Sequence, residues 1–364
     1  MIAGKFPIAI LIVAALAGVS CEAADRKQIQ QLLETKSCEG CDLSEADLHG
    51  QNLFEAKLAG ANLRDADLRD ATLTSADLSG ARLAGAKLEG AKLIEAKLNA
   101  IKDKDGKSQG VGLEYAHLKG VNLNGAEMKG ALLLATELKD ARLFHVDLED
   151  AIFEPASLPD IESISDAANL KKMTYDQRPA ALLKLRKAFK EAGFQNQQRQ
   201  ITYALMRKKR LDSGPIENSV RYVLFELTSE WGLSSLRPLW LMILLIFPFA
   251  LLYAGAILRP HASAGLWRVW DKDRIRQDIG TATPVLLKKS TGNIVGDALY
   301  FSFLSAFSVG WHEINIGTWI GRLNPDEYTL RATGWLRSLS GFQSLVSIFL
   351  LALAFLCYFG DPFE

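Results

Sequence analysis

The sequence predicts a mainly β solenoid, followed by an α-helical neck and a two-span α-helical membrane domain. Three observations carry that expectation. Leucine returns at every fifth position over 41–158, apolar residues then recur at helical spacing over 159–238, and two uncharged stretches, Leu239 to Leu258 and Leu339 to Phe359, are each long enough to cross a bilayer. All seven Trp lie between positions 231 and 335, where amphipathic rings collect if the last third of the chain enters a membrane. The 364 residues include 42 basic and 42 acidic groups, so no global attraction to nucleic acid follows. That neutrality averages opposites: residues 41–158 hold 14 basic and 20 acidic groups, a net of −6, and residues 159–364 hold 24 and 18, a net of +6. A single soluble enzyme domain is excluded by this division.

Residues 1–23 read as an export signal. Lys5 precedes an uncharged stretch from Phe6 to Ala17 that is too short to span comfortably, and Cys21 and Ala23 are spaced for cleavage after Ala23. Lipidation of Cys21 and an uncleaved anchor are the alternatives, and each leaves the following domain exported. Residues 24–40 read as an N-terminal cap. Cys38 and Cys41 form a Cys-x-x-Cys pair, but no βαβ context supports a redox motif, and zinc lacks two further ligands, with only His49 near. In an oxidising compartment a structural disulfide is the expectation.

From Cys41 the chain runs in fives: Cys41-Asp-Leu-Ser-Glu, Ala46-Asp-Leu-His-Gly, Gln51-Asn-Leu-Phe-Glu, and onward to Leu98. The insertion 101–110 interrupts this period without changing its phase, and it resumes at Val111 and ends with Phe153. Of 21 pentads, the central residue is Leu in all but two, Met128 and Phe153, and the residue two before it is Ala in 15. Residues two apart on an extended chain point to one side, so each Ala and its Leu face inward while the residue between faces water. The other two positions favour Gly, Asp, Glu and Ser, which suit a corner. A short edge and a corner, repeated, must coil, and each Leu can be buried only by stacking turn on turn.

This A-[D/N]-L-x-x pattern resembles the pentapeptide-repeat family over about a third of the chain. The resemblance implies a right-handed, four-sided β-helix of four pentads per coil, or about six coils and about 28 Å of rod at a strand spacing of about 4.8 Å. It also implies a protein without catalytic activity. Some soluble members of the family mimic DNA with an acidic surface and bind topoisomerases. Here Arg82, Lys87, Lys92 and Lys97 interrupt the acidic excess, and an exported rod meets no DNA.

No residue set on the rod points to a cofactor, a metal or catalysis. Asp103, Asp105 and Gly106 resemble a calcium loop only in part, and His49, His117 and His145 lack a recurring nucleophile and acid. Lys102, Asp103, Lys104, Asp105 and Lys107 are the candidate contact surface for a protein partner, because loops that protrude from a scaffold often carry binding.

After Leu158 the period stops at Ser157-Leu-Pro159 and again at Asp176 to Pro179. The neck, 159–238, reads as helices: one from Pro179 to Gly193, one over Gln195 to Leu211, and a third marked by Val220, Val223, Leu224, Leu227 and Trp231. Arg207 to Arg210 suits either a helix carboxyl terminus or an acidic partner surface. Of the two spans, 239–258 contains Pro248, and 339–359 carries Ser340, Gln343, Ser344 and Ser347 along one face, a stripe expected to pack helix on helix. Arg221 and Arg237 precede the first span. Arg259, Arg268, Lys272, Arg274, Arg276, Arg322, Arg331 and Arg337 lie between the spans, so the loop 259–338 is expected in the cytoplasm and the rod in the periplasm.

Within that loop, 297–313 is pore-like. An apolar helical stretch from Asp297 to Phe307 leads into Ser308, Val309, Gly310, Trp311, His312 and Glu313. This order is similar to the pore helix and filter, Thr-Val-Gly-Tyr-Gly-Asp, of two-span potassium channels. Val309 and Gly310 match. His312 departs where a second Gly permits the filter backbone, which puts potassium selectivity in doubt. The loop would also enter from the cytoplasm, the plan that ionotropic glutamate receptors resemble. The sequence thus points first to a non-catalytic protein of a bacterial inner membrane, in contact with membrane lipid and displaying a periplasmic rod to a protein partner. Second comes a homo-oligomeric channel or a sensor derived from one.

Overall fold

The computed structural model describes residues 22–102, 106, 108–259, 264–270, 284–288, 293–307, 328–360 and 363. The chain divides into two compact units, Met1–Gly214 and Pro215–Glu364.

The first unit is built on the five-residue period. Parallel bridges join residues 20 apart in sequence, Asp42 to Asn62, Asp47 to Asp67, Asn52 to Thr72 and Lys57 to Asp77, so four pentads close one coil. One side of the stack runs through Ser37, Lys57, Asp77, Lys97, Glu127, Asp147 and Ala168. These are six steps, or about 29 Å at the usual strand spacing. The Leu N–H of one pentad donates to the coil above, as Leu43 does to the Asn62 carbonyl at 2.7 Å, and the N–H of the residue before each Leu donates to the coil below, as Asn62 does to the Cys41 carbonyl at 2.8 Å. Most corners are β-turns closed onto the Leu carbonyl, for example Ala46 N–H to Leu43 O at 3.2 Å. The paired Ala and Leu side chains are buried along the whole length, with Leu48 to Leu98 and their alanines essentially inaccessible to water.

The insertion leaves this lattice undisturbed because it closes on itself. Strand β1 (Ile101–Lys102) pairs antiparallel with β2 (Ser108–Gln109), and the bridges on either side then join residues 30 apart, Arg82 to Gly112 and Lys97 to Glu127. Gly110 is required where the hairpin re-enters, since a Cβ there would strike the backbone carbonyl of Gly130. Near the far end β3 (Leu132–Leu134) and β4 (Ile152–Glu154) lengthen one edge into a parallel pair.

The solenoid is longer than its repeats. Helix α1 (Glu22–Thr35) places Leu32 over the first coil, and Lys36 to Gly40 is already a pentad, with Cys38 buried in the Leu place and Ser37 paired to Lys57. The segment expected as a cap over 24–40 therefore contains the first rung. At the other end the expected boundary at 158 moves further. Ala168 pairs with Asp147 and Thr174 with Ile152, while α2 (Ile161–Ser165) and a 3₁₀ turn, Leu170–Lys172, fill the last coil with Ile164, Leu170 and Met173. Helices α3 (Ala180–Glu191) and α4 (Gln195–Leu211) continue the same core through Leu182, Leu185, Phe189 and Ile201. Most of the expected neck thus belongs to the solenoid, because the open end of a stack leaves apolar side chains that only an apolar helix face can cover.

The second unit begins with α5 (Pro215–Arg221), which continues through a π-helical turn, Tyr222–Glu226, into α6 (Leu227–Ser229). Two long apolar helices follow, α7 (Arg237–Leu258) and α9 (Trp335–Phe359), each of a length and composition that can cross a membrane. Between them lies the short helix α8 (Ile294–Ala306), capped by Asn293, whose side chain accepts from Gly296 N–H at 3.2 Å. The intervening segment was expected as a loop. Its described residues include a three-stranded antiparallel sheet of order β6-β5-β7, from β5 (Leu266–Trp270), β6 (Val285–Leu286) and β7 (Tyr328–Ala332). Leu266 and Leu330 from the sheet share a core with Tyr253 and Ile257 of α7, Phe301 of α8 and Leu336 of α9.

Candidate functional site

Nearly every corner of the solenoid holds a residue with positive φ at the fifth place of the pentad, and the sequence supplies Gly at several corners and Glu, Asp, Ser, Tyr, Ala or His at others, including Glu55, Asp65, Ser75, Ala135 and His145. The outward residue before the Leu does more than meet water. Asp42, Asp47, Asn52, Asp67, Asp77, Asn122 and Asp147 each accept, through the side chain, the N–H two residues on, at 3.0 to 3.2 Å. That bond satisfies a corner donor with no partner in the coil ladder, which explains why Asp and Asn recur there. Where Lys or Arg takes the place, as at Lys87 and Lys92, that bond is not available to a side chain that only donates.

These acceptors also set the electrostatics. Bonding by the Arg69 guanidinium holds the Asp67 carboxyl at about 2, below its ordinary 3.8. Asp42 is lowered by the hydroxyl and N–H of Ser44, and Glu149 by Lys172. One side alternates in sign, Lys57, Asp77, Lys97, Glu127, so neighbouring coils attract rather than repel. His117 meets Glu137 at 3.2 Å and His145 meets Asp166 at 2.8 Å, both at exposed positions. Among the described residues no group of His, Cys, Asp and Glu is arranged to hold a metal. The basic end of α4 ties that helix down: Arg207 reaches Asp150 and the Lys172 carbonyl, each at 3.4 Å, and Lys208 pairs with Asp212 at 3.2 Å.

Cys38 and Cys41 are joined as a disulfide with their Cα atoms 5.3 Å apart. Cys38 occupies a Leu place and Cys41 the next Ala place, so the bond spans the first corner and locks the end of the stack. Of the proposed contact loop, Lys102 is exposed at the tip side of β1, and Asp103, Lys104, Asp105 and Lys107 lie outside the described residues.

In the second unit, polar side chains stitch three helices together. Tyr253 donates to Gln343 Oε1 at 3.0 Å, Gln343 Nε2 donates to the Ser302 carbonyl and hydroxyl at 2.9 Å, and Ser302 Oγ donates to the Ile246 carbonyl at 2.8 Å. Ser344 reaches the Ser305 carbonyl at 2.7 Å, and Ser305 meets Ser340 at 2.8 Å. The stripe on α9 therefore faces α7 and α8. The Ile246 carbonyl lies two residues before Pro248, so the helix beside the proline is held by a neighbour's hydroxyl. Ser302 of α8 thus meets α7 near its middle. Helix α8 is pinned at its start by Arg268 of β5, which bonds both carboxylate oxygens of Asp297 at 2.8 and 3.1 Å. Of the pore-like segment, Asp297 to Ala306 lies in α8, whereas Ser308, Val309, Gly310, Trp311, His312 and Glu313 lie outside the described residues. Sequence reasoning missed the sheet and Arg268; the β-branched and aromatic run Leu266 to Trp270 was the available signal.

A coil of four five-residue edges defines the first unit as a quadrilateral β solenoid. The model of the pentapeptide repeats matches residues 37–70, 61–99 and 113–154 in eight copies, leaving out the hairpin, and 37–154 is accordingly a pentapeptide-repeat domain. Similar solved structures are a pentapeptide repeat protein from the thylakoid lumen of Arabidopsis thaliana (27% identity, 36% of this chain and 79% of that one, TM-score 0.24) and HetL, involved in heterocyst differentiation regulation, from the cyanobacterium Nostoc sp. strain PCC 7120 (28%, 32% and 64%, TM-score 0.18). A third is Rfr23 from the cyanobacterium Cyanothece 51142 (22%, 42% and 99%, TM-score 0.18). No curated protein matches the chain.

Proposed function

We propose that this protein is a non-catalytic, membrane-anchored pentapeptide-repeat protein that presents its solenoid on the periplasmic side of a bacterial inner membrane to a protein partner. One observation carries the anchoring: α7 and α9 are inside out relative to a soluble bundle. Trp240, Leu244, Phe247 and Leu251 of α7 and Phe342, Leu345 and Phe355 of α9 are exposed, while Tyr253, Ser302, Gln343 and Ser347 are buried between helices. Lipid is the solvent that favours that arrangement. The excess of Lys and Arg in 259–338 supports a cytoplasmic place for the sheet, and the Cys38–Cys41 disulfide suits an oxidising compartment for the solenoid. Binding falls to outward side chains and the β1–β2 hairpin, since the inner ones are consumed by the core. Thiol labelling of single Cys residues placed at positions 105, 275 and 364 tests the topology. Positions 105 and 364 should react from outside intact cells and 275 only after lysis; a cytoplasmic 105 overturns the reading.

A second reading rests on α8, a short apolar helix that packs on both long helices and bonds through Ser302 to the Ile246 carbonyl of α7. A helix of that kind between two spans supports a channel, or a sensor derived from one, assembled from several copies. Ion current in liposomes that disappears on Gly310 substitution is its test.

A further inference from the structure

Resting on the membrane-anchored reading, a second lipid contact can be assigned. We propose that the helix Pro215–Ser229 lies in the membrane interface beside the end of the bundle, with one apolar side turned to lipid.

The helix has two unlike sides. Ile216, Val220, Val223, Leu224 and Leu227 are all exposed, Ile216 at 80%, and recur at helical spacing as a continuous stripe. Protein covers the helix only toward its carboxyl-terminal end. Thr228 and Ser229 are buried, and Phe225 stacks with Trp231 at 5.0 Å and Phe363 at 5.4 Å between ring centroids. Trp231 also meets Phe363 at 5.3 Å.

Those three rings fix the height of the helix. Trp231 stands six residues before α7 begins, and Phe363 stands four residues after α9 ends, so the cluster marks the level at which both spans leave the hydrocarbon. A helix of 15 residues, about 22 Å long, is held there, and Leu236, which caps α7, and Trp240 on α7 are exposed apolar side chains as well. Aromatic rings and a laterally exposed aliphatic stripe at that level are the composition of an interfacial helix.

Lipid fits the stripe better than a second copy does. Five aliphatic side chains on one helix face fall short of the roughly 800 Å² per partner that a stable protein interface needs. The helix and its cap carry Glu217, Glu226 and Glu230 against Arg221, so its hold on the membrane comes from apolar area and not from attraction to anionic headgroups. Binding should therefore be insensitive to salt.

The test uses the full chain with Cys21→Ser and Cys357→Ser, reconstituted in phosphatidylethanolamine and phosphatidylglycerol vesicles. Nitroxide labels are placed singly at Ile216, Val220, Val223 and Leu227, at Asn218 on the other side, and at Leu244 and Leu251 on α7. Oxygen collisions should exceed nickel-chelate collisions at the four stripe positions as at 244 and 251, with the ratio reversed or both low at 218, and unchanged by high salt. Stripe labels open to the nickel chelate, with 244 and 251 in lipid, overturn the interfacial helix alone. Stripe labels shielded from both reagents mean that protein covers them and overturn it equally. Labels at 244 and 251 open to the chelate overturn the anchor itself, and the interfacial helix with it.

Discussion

Leu78 sits fully buried in the middle of the stack, at a place where a smaller side chain leaves a void that neighbouring coils, tied by their own hydrogen bonds, cannot close. Leu78→Ala should cost about 2–5 kcal/mol, read as a lower urea midpoint, and Leu78→Lys should cost more because an ammonium would be stranded in the core. The corners offer the opposite change. Ala135 holds φ of 53°, a conformation that costs a residue with a Cβ about 1–2 kcal/mol, so Ala135→Gly should raise the melting temperature once the extra freedom of glycine in the unfolded chain, about 0.4–1 kcal/mol, is subtracted. The outward carboxylates predict a pH dependence of definite sign. Asp67 titrates at about 2 in the folded protein against an ordinary 3.8, so the stabilisation it gives is complete above that ordinary value and is lost as pH falls through about 2. Asp42 and Glu149 are lowered too and act in the same direction. Unfolding curves taken from pH 5 downward should show this loss, and Asp67→Asn should make the profile shallower.

At the scale of elements, the hairpin is a module. Its removal, joining Ala100 to Val111, gives the next pentad in phase, so deletion of 101–110 should leave the circular dichroism spectrum unchanged and shift stability only slightly, since shortening a loop changes closure entropy slowly. Gly110→Val should do far worse than the deletion, because its side chain has nowhere to go but into the Gly130 carbonyl. The coils were legible in the sequence because Leu holds one inner place in 19 of 21 pentads, Ala the other in 15, and nothing else imposes a period of five. The function of the intervening Asp and Asn was not, since a carboxylate that caps a turn and one that merely meets water look alike in a sequence. The end caps were hidden for a related reason: Ile164, Leu170 and Met173 complete the last coil from a short helix and a 3₁₀ turn, where the paired Ala and Leu no longer recur. The sheet between α7 and α9 escaped because its strands are two to five residues long and far apart in sequence, which erases alternation as a signal. The two long apolar helices were legible within about a turn, and so was the polar stripe of α9, because isolated Ser and Gln in an apolar helix have few satisfactory places except a neighbouring helix.

At the scale of the whole molecule, the division after Gly214 separates two kinds of surface. The first unit encloses its apolar core along the stack and closes both ends, with α1 over the first coil and α3 and α4 over the last. It leaves outside mainly charges, amides and hydroxyls. The second unit turns Trp240, Phe247, Leu251 and Phe355 outward and keeps its hydroxyls and amide within. A chain so arranged should come apart at its boundary without loss of the first fold, because every element that covers an end of the solenoid lies before residue 214. A fragment of residues 22–214 should therefore be soluble without detergent and unfold in one transition. Reduction of Cys38–Cys41 should lower its midpoint by releasing the first corner, by about 2 kcal/mol or less for so short a loop. Sedimentation and denaturation of that fragment check the expectation. Aggregation without detergent, with loss of the β spectrum, would mean that part of the second unit completes the core and that the caps at the last coil do not suffice.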